Sequence, residues 1–108
     1  MIFITGGAFQ GKADYAREHF AGYRLVEHYE RQVREQLLRG EDPMKAARRL
    51  AKSGEKLVVI CDELGCGLVP MDAFDRKYRE ACGRVSCYLA GQAEQVIRMV
   101  CGIPGRIV

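Results

Sequence analysis

The order of segments along this chain predicts an α/β fold, a three-layer sandwich built on a small, mostly parallel sheet. Three observations carry that expectation. Short apolar runs at residues 1–5, 56–62 and 95–101 alternate with helix-like stretches. The run Lys56-Leu57-Val58-Val59-Ile60-Cys61-Asp62 is apolar without interruption through its centre, as in a parallel strand covered on both faces. The 108 residues include no internal repeat, low-complexity tract or linker-like segment, so residues 1–108 read as a single domain near the commonest size. At 48% hydrophobic residues the chain can bury a core without disulfides.

Residues 1–5 read as a buried strand that stops at Gly6-Gly7. Residues 11–20 read as a helix, ended by Gly22, and Tyr23–Val26 as a second, short strand. From His28 to Leu38 the charge pattern predicts an exposed helix that turns Val33, Leu37 and Leu38 inward. Gly40-Glu41-Asp42-Pro43 breaks it, with Asp42 placed to cap the next helix and Pro43 at its first position. Met44, Ala47, Leu50 and Ala51 give that helix its apolar face. After the 56–62 strand, Gly65–Pro70 reads as a loop and Asp72 to Gln92 as a long helix carrying Phe74, Tyr78, Val85 and Leu89 on one side. Gln95 to Cys101 is the last expected strand, closed by Gly102-Ile103-Pro104-Gly105.

The junction of the first strand and first helix carries the chemistry. Gly6 is separated by four residues from the pair Gly11-Lys12, the spacing of a phosphate-binding loop. Such a loop surrounds an anion with backbone N–H groups, adds a lysine ammonium, and points a helix N-terminus at the same charge. This makes the fold P-loop NTPase-like and makes Gly6, Gly7, Ala8, Gly11, Lys12 and Ala13 the expected nucleotide-binding residues. The position after the lysine usually supplies a hydroxyl to the nucleotide's Mg²⁺; here Ala13 has no oxygen to offer.

Asp62-Glu63 ends the clearest strand, and ligands of open α/β sheets gather beyond the carboxyl ends of strands. Asp62 is a candidate metal ligand, and Asp62 and Glu63 are candidate catalytic carboxylates. His28 could act as nucleophile or base, but Glu27, Tyr29, Glu30 and Arg31 around it read as the solvated start of a helix. Arg31, Arg34, Arg39, Arg48 and Arg49 read as solvated helical faces.

Several segments together resemble a known family. Ile4-Thr5-Gly6-Gly7-Ala8, Glu63-Leu64-Gly65-Cys66-Gly67-Leu68-Val69-Pro70, Arg76–Val85 and Met99-Val100-Cys101-Gly102-Ile103-Pro104 are similar, in order, to segments of the adenosylcobinamide kinase/adenosylcobinamide-phosphate guanylyltransferase family of cobalamin biosynthesis. Members phosphorylate the aminopropanol arm of adenosylcobinamide and transfer GMP from GTP through a guanylylated histidine. The resemblance implies ATP or GTP as ligand, Mg²⁺ as its ion, a corrinoid substrate and a homo-oligomer. It also places Glu63 on a family glutamate, with Gly65, Gly67 and Pro70 shaping the loop behind it.

The departures cluster. Phe9-Gln10 and Ala13 replace the family's Arg-Ser and hydroxyl, and Ser86-Cys87 stands in place of Asn-Gln. Residues 21–55 are shorter than the family segment that carries the histidine and an Asp-bearing strand, while Asp62 puts an acid where the family has Asn. The expected function is a nucleotide-binding relative, with a non-catalytic regulatory or partner subunit as the alternative.

Other classes are disfavoured by composition. A net charge of +3, with bases dispersed among acids, gives no surface for nucleic acid or membrane. Five cysteines without a CxxC pair read as reduced, largely structural thiols. The apolar N-terminal run leads straight into the loop and reads as a strand rather than a signal peptide. A cytoplasmic protein is the expectation.

Overall fold

A computed structural model describes residues 1–64 and 72–108. The elements follow in the order β1 (Ile2–Gly6), α1 (Lys12–His19), β2 (Arg24–Val26), α2 (Tyr29–Leu38), α3 (Pro43–Ala51), β3 (Leu57–Asp62), α4 (Ala73–Gln92), β4 (Gln95–Val100) and β5 (Ile103–Arg106). They form one five-stranded sheet in the order β2-β3-β1-β4-β5. The first four strands are parallel, and β5 returns antiparallel beside β4.

Alternation along the strands builds two cores, one on each face of the sheet. Phe3, Leu57, Val59, Cys61 and Val96 face α2, α3 and α4, where Tyr29, Val33, Ala47, Cys82, Val85 and Leu89 complete a continuous cluster. Ile2, Ile4, Val58, Ile60, Ile97 and Met99 face the other way, onto Ala16 of α1 and the aromatic residues Tyr15, Phe20 and Tyr23. This is the expected three-layer sandwich, with three helices on one face and one on the other. Leu57, Val58 and Val59 are each fully buried, and each such side chain contributes roughly 1.5–3 kcal/mol.

Local signals act where the sequence puts them. The Asp42 side chain accepts the Met44 N–H at 3.0 Å with Pro43 in the first turn, and Asp72 caps α4 through the Asp75 N–H at 2.7 Å.

Three expectations are corrected. Leu38 does not turn inward; it is 60% exposed, and the buried side of α2 is Tyr29, Glu30, Val33 and Gln36. The start of α2 is solvated only in part: Glu27, His28 and Arg31 are exposed, but the first turn packs against the end of β3, so Tyr29 and Glu30 are buried. Residues 102–105 do not merely close the sheet. Cys101 and Gly102 both have positive φ (51° and 74°) between the paired Val100 and Ile103, a two-residue hairpin turn that adds β5 as an edge. The Gly65–Pro70 loop lies outside the described residues. Among the described residues, no helix is long and apolar enough to cross a membrane.

Candidate functional site

The site follows from the central strand pair. β1 and β3 run side by side in parallel with Gly6 opposite Asp62, and the Glu63 N–H extends the ladder by donating to the Gly6 carbonyl at 2.8 Å. The phosphate-type loop therefore leaves the sheet beside the acidic end of β3, where a bound ligand is expected in an open α/β sheet.

Gly6 makes the exit feasible. Its φ is 148°, and a Cβ there would lie 2.5 Å from the Met99 carbonyl oxygen of β4. Only a residue without a side chain lets the chain pass so close. The loop ends at Gly11 (φ 79°), whose carbonyl accepts the Tyr15 N–H as α1 begins. Gln10 ties the loop to the β4–β5 turn by accepting the Cys101 N–H. Phe9, at the tip, has φ 59° and is fully exposed.

Lys12 is the organising charge. It is 6% exposed, and its ammonium donates to the Gly7 carbonyl at 2.6 Å and pairs with Asp62 Oδ1 at 2.7 Å. The loop curls around its own lysine, and the end of β3 holds it. A cavity of about 560 Å³ opens beside this pair, lined among others by Ala8, Gly11, Lys12, Ala13, His28 and Asp62. Sequence-predicted Gly6 and Gly7 form its frame rather than its lining. Arg31 also reaches this wall, so one arginine of the presumed solvated face borders the cleft.

Glu63 faces elsewhere. Arg98 of β4 grips its carboxylate through Nε at 2.8 Å and Nη2 at 3.1 Å. Glu63 heads a second cavity of about 360 Å³ that also includes Thr5, Asp62 and Ser86. Asp62 thus borders both clefts, whereas Glu63 borders only the second.

Glu30 is the buried acid beside the site that sequence reasoning missed. It is 5% exposed, its Oε1 accepts the Asp62 N–H at 2.9 Å, and its carbonyl accepts the Tyr78 hydroxyl at 2.9 Å. His28 Nδ1 lies 3.5 Å from Glu30 Oε2. His28, Glu30 and Asp62 each bring a ligand atom within 4.8 Å of the others. The missed signal was positional: Glu27 to Glu30 follow β2 as Asp62 and Glu63 end β3, at the same rim of the sheet.

Burial raises the pKa of three groups behind the site. Burial pushes the Tyr29 hydroxyl up to about 12 and the Cys61 thiol up to about 11. The Tyr78 hydroxyl is raised too, again chiefly by burial.

The residues fit the Mg²⁺ of a bound nucleotide incompletely. Ala13 lines the cleft where a hydroxyl would be needed, and one oxygen of Asp62 is already taken by Lys12.

Comparison with known proteins identifies a family. A family model described as cobinamide kinase / cobinamide phosphate guanyltransferase matches residues 25–107. The match runs through β2, α2 and α3 and begins after the phosphate-type loop. The bifunctional adenosylcobalamin biosynthesis protein CobU of Salmonella typhimurium is 38% identical over 52 residues, 48% of this chain. The matched stretch covers 29% of that relative's length.

Proposed function

Because the chain belongs to the cobinamide kinase / cobinamide phosphate guanyltransferase family, we propose that it binds ATP or GTP on the Gly6–Ala13 loop and serves cobalamin biosynthesis. The observation that carries this reading is the buried Lys12 ammonium, held at the mouth of a cleft by the loop's own carbonyl and by Asp62. A lysine that only faced solvent would not be drawn into the protein at the desolvation cost of a buried charge.

In this reading the nucleotide's phosphates displace Asp62 from Lys12 and take hydrogen bonds from the loop N–H groups and the start of α1. Lys12 then balances charge that develops on the transferred group. Asp62, released from the lysine, holds a cation or its water. Glu63, heading the adjoining cavity, takes the proton of the acceptor hydroxyl once Arg98 turns away. That hydroxyl belongs to adenosylcobinamide, which takes the γ-phosphoryl group while the nucleoside diphosphate leaves; where the acceptor is adenosylcobinamide phosphate, a phosphate oxygen attacks instead and pyrophosphate leaves.

A second reading is favoured by two specific observations: Ala13 offers no metal contact, and Lys12 is neutralised from within. It makes the chain a non-catalytic relative that binds nucleotide as a regulatory or partner subunit. The two readings separate on incubation with adenosylcobinamide and γ-labelled ATP. Label transferred to the corrinoid, and lost in Lys12→Ala, supports the enzyme. Nucleotide binding without transfer under any condition supports the subunit.

A further inference from the structure

We infer that His28, Glu30 and Asp62 form a binding site for a divalent first-row transition ion, in preference to Mg²⁺. The site's role rests on the nucleotide reading above, while its existence rests on the geometry alone.

Two independent observations meet here. One is convergence: an imidazole and two carboxylates, from the start of α2 and the end of β3, bring ligand atoms within 4.8 Å of one another. Metal–ligand bonds of about 2.0–2.2 Å separate neighbouring donors by roughly 3–4 Å, so small side-chain rotations close the set. The other is the state of Glu30. This side chain is 6% exposed, and its Oε1 is satisfied by the Asp62 N–H. Its Oε2 accepts no hydrogen bond among the described residues and points at His28, 3.5 Å away. A carboxylate taken out of water is costly unless its charge is paired, and a cation held between Glu30 and His28 would supply that pairing.

Charge and donor type narrow the ligand. The cluster brings together two carboxylates, Glu30 and Asp62, and one ammonium, Lys12, beside an imidazole. Mg²⁺ prefers an all-oxygen shell, whereas imidazole with carboxylates suits zinc, iron, nickel or cobalt ions. His28 and Asp62 line the same cleft as Ala13, so the cation is held by β3 and the start of α2 instead of by a loop hydroxyl. Because Asp62 is shared, an ion drawing on its carboxylate weakens its hold on Lys12 and frees the ammonium for phosphate. Metal and polyphosphate therefore strengthen each other's binding, and by linkage they do so equally.

Co²⁺ is a suitable probe, since its visible absorption reports ligand type and separates thiolate from nitrogen and oxygen donors. Titration of the whole chain is expected to show one Co²⁺ bound through nitrogen and oxygen, undisplaced by a large excess of Mg²⁺. His28→Asn, which suits the left-handed backbone at that position (φ 51°), should weaken Co²⁺ more than about tenfold, as should Glu30→Gln. Even partners standing behind a metal ligand are worth that much. The side chain of His28 is 47% exposed, so its replacement leaves the core intact. Unchanged affinity in His28→Asn, displacement by Mg²⁺, or a thiolate spectrum would each overturn the site. Tripolyphosphate titration without metal is the separate control. If Co²⁺ binds as described while tripolyphosphate binds neither wild type nor Lys12→Ala, the metal site stands and the nucleotide reading falls.

Discussion

The ammonium of Lys12 lies 2.7 Å from the carboxylate of Asp62, with the two side chains 5% and 20% exposed. The loop lysine is therefore already engaged, and any anion that enters must compete with an internal carboxylate. Asp62→Asn removes the competitor's charge. In the absence of metal, tripolyphosphate should bind this variant more tightly than wild type by calorimetry. The same change leaves a buried ammonium short of its best partner and should cost about 1–3 kcal/mol of stability in urea.

Gly6→Ala tests the close passage of the loop over β4. The added methyl would meet the Met99 carbonyl at 2.5 Å on a backbone with φ 148°. Neither atom belongs to a flexible side chain, so the strand pair must shift. We expect a loss of about 1–3 kcal/mol, read as a lower urea midpoint, together with weaker polyphosphate binding.

Glu63→Gln separates the two acids. The Glu63–Arg98 pair lies at the surface, with Arg98 53% exposed, and such pairs contribute less than about 1 kcal/mol. Thermal melting should barely change, and nucleotide affinity should stay near wild type. Phosphoryl transfer to the corrinoid should fall if Glu63 takes the acceptor's proton.

Stability should decline in alkali. Cys61 and Cys82 have thiols raised from 9.0 to about 11 and about 12, in both cases chiefly by burial. Above pH 9 the unfolded chain releases these protons while the folded chain keeps them, so unfolding becomes progressively easier. Their stabilising effect is complete below pH 9 and is lost as pH rises toward 11–12. Urea midpoints measured between pH 7 and 11 should be level at first and then fall, less steeply in Cys82→Ala than in wild type.

The same burial predicts thiol reactivity. Cys87 and Cys101 are exposed, whereas Cys61 and Cys82 are buried. At neutral pH the first two should be alkylated in the folded protein, and the second two only after denaturation, as mapped by peptide mass spectrometry.

Much of this was legible in sequence because it is written in local patterns. The unbroken apolar run at 56–62, the Gly6–Lys12 spacing and the Asp42-Pro43 cap each specify a local conformation without reference to distant residues. Their outcomes, β3, the loop and α3, lie where expected. What escaped depends on packing between segments. Glu30 looks like any charged residue of an exposed helix until α2 is docked against β3, and then it is, with Lys12, one of the two buried charges among the described residues. His28 is exposed as the sequence suggests, yet the same docking sets it on the wall of the cleft. Leu38 reads as core by composition, yet the helix phase set by Tyr29 and Val33 rotates it outward. The split between Asp62 and Glu63 likewise needed Arg98 of β4, 35 residues away.

The central claim is that the Gly6–Ala13 loop holds nucleotide phosphate through Lys12. Calorimetric titration of GTP and ATP into wild type and Lys12→Ala, each with and without divalent metal, addresses it most directly. The account predicts binding of at least one nucleotide to wild type, strengthened by metal and lost or sharply weakened in Lys12→Ala. Absence of binding of either nucleotide at millimolar concentration, or equal binding by the two proteins, would contradict it.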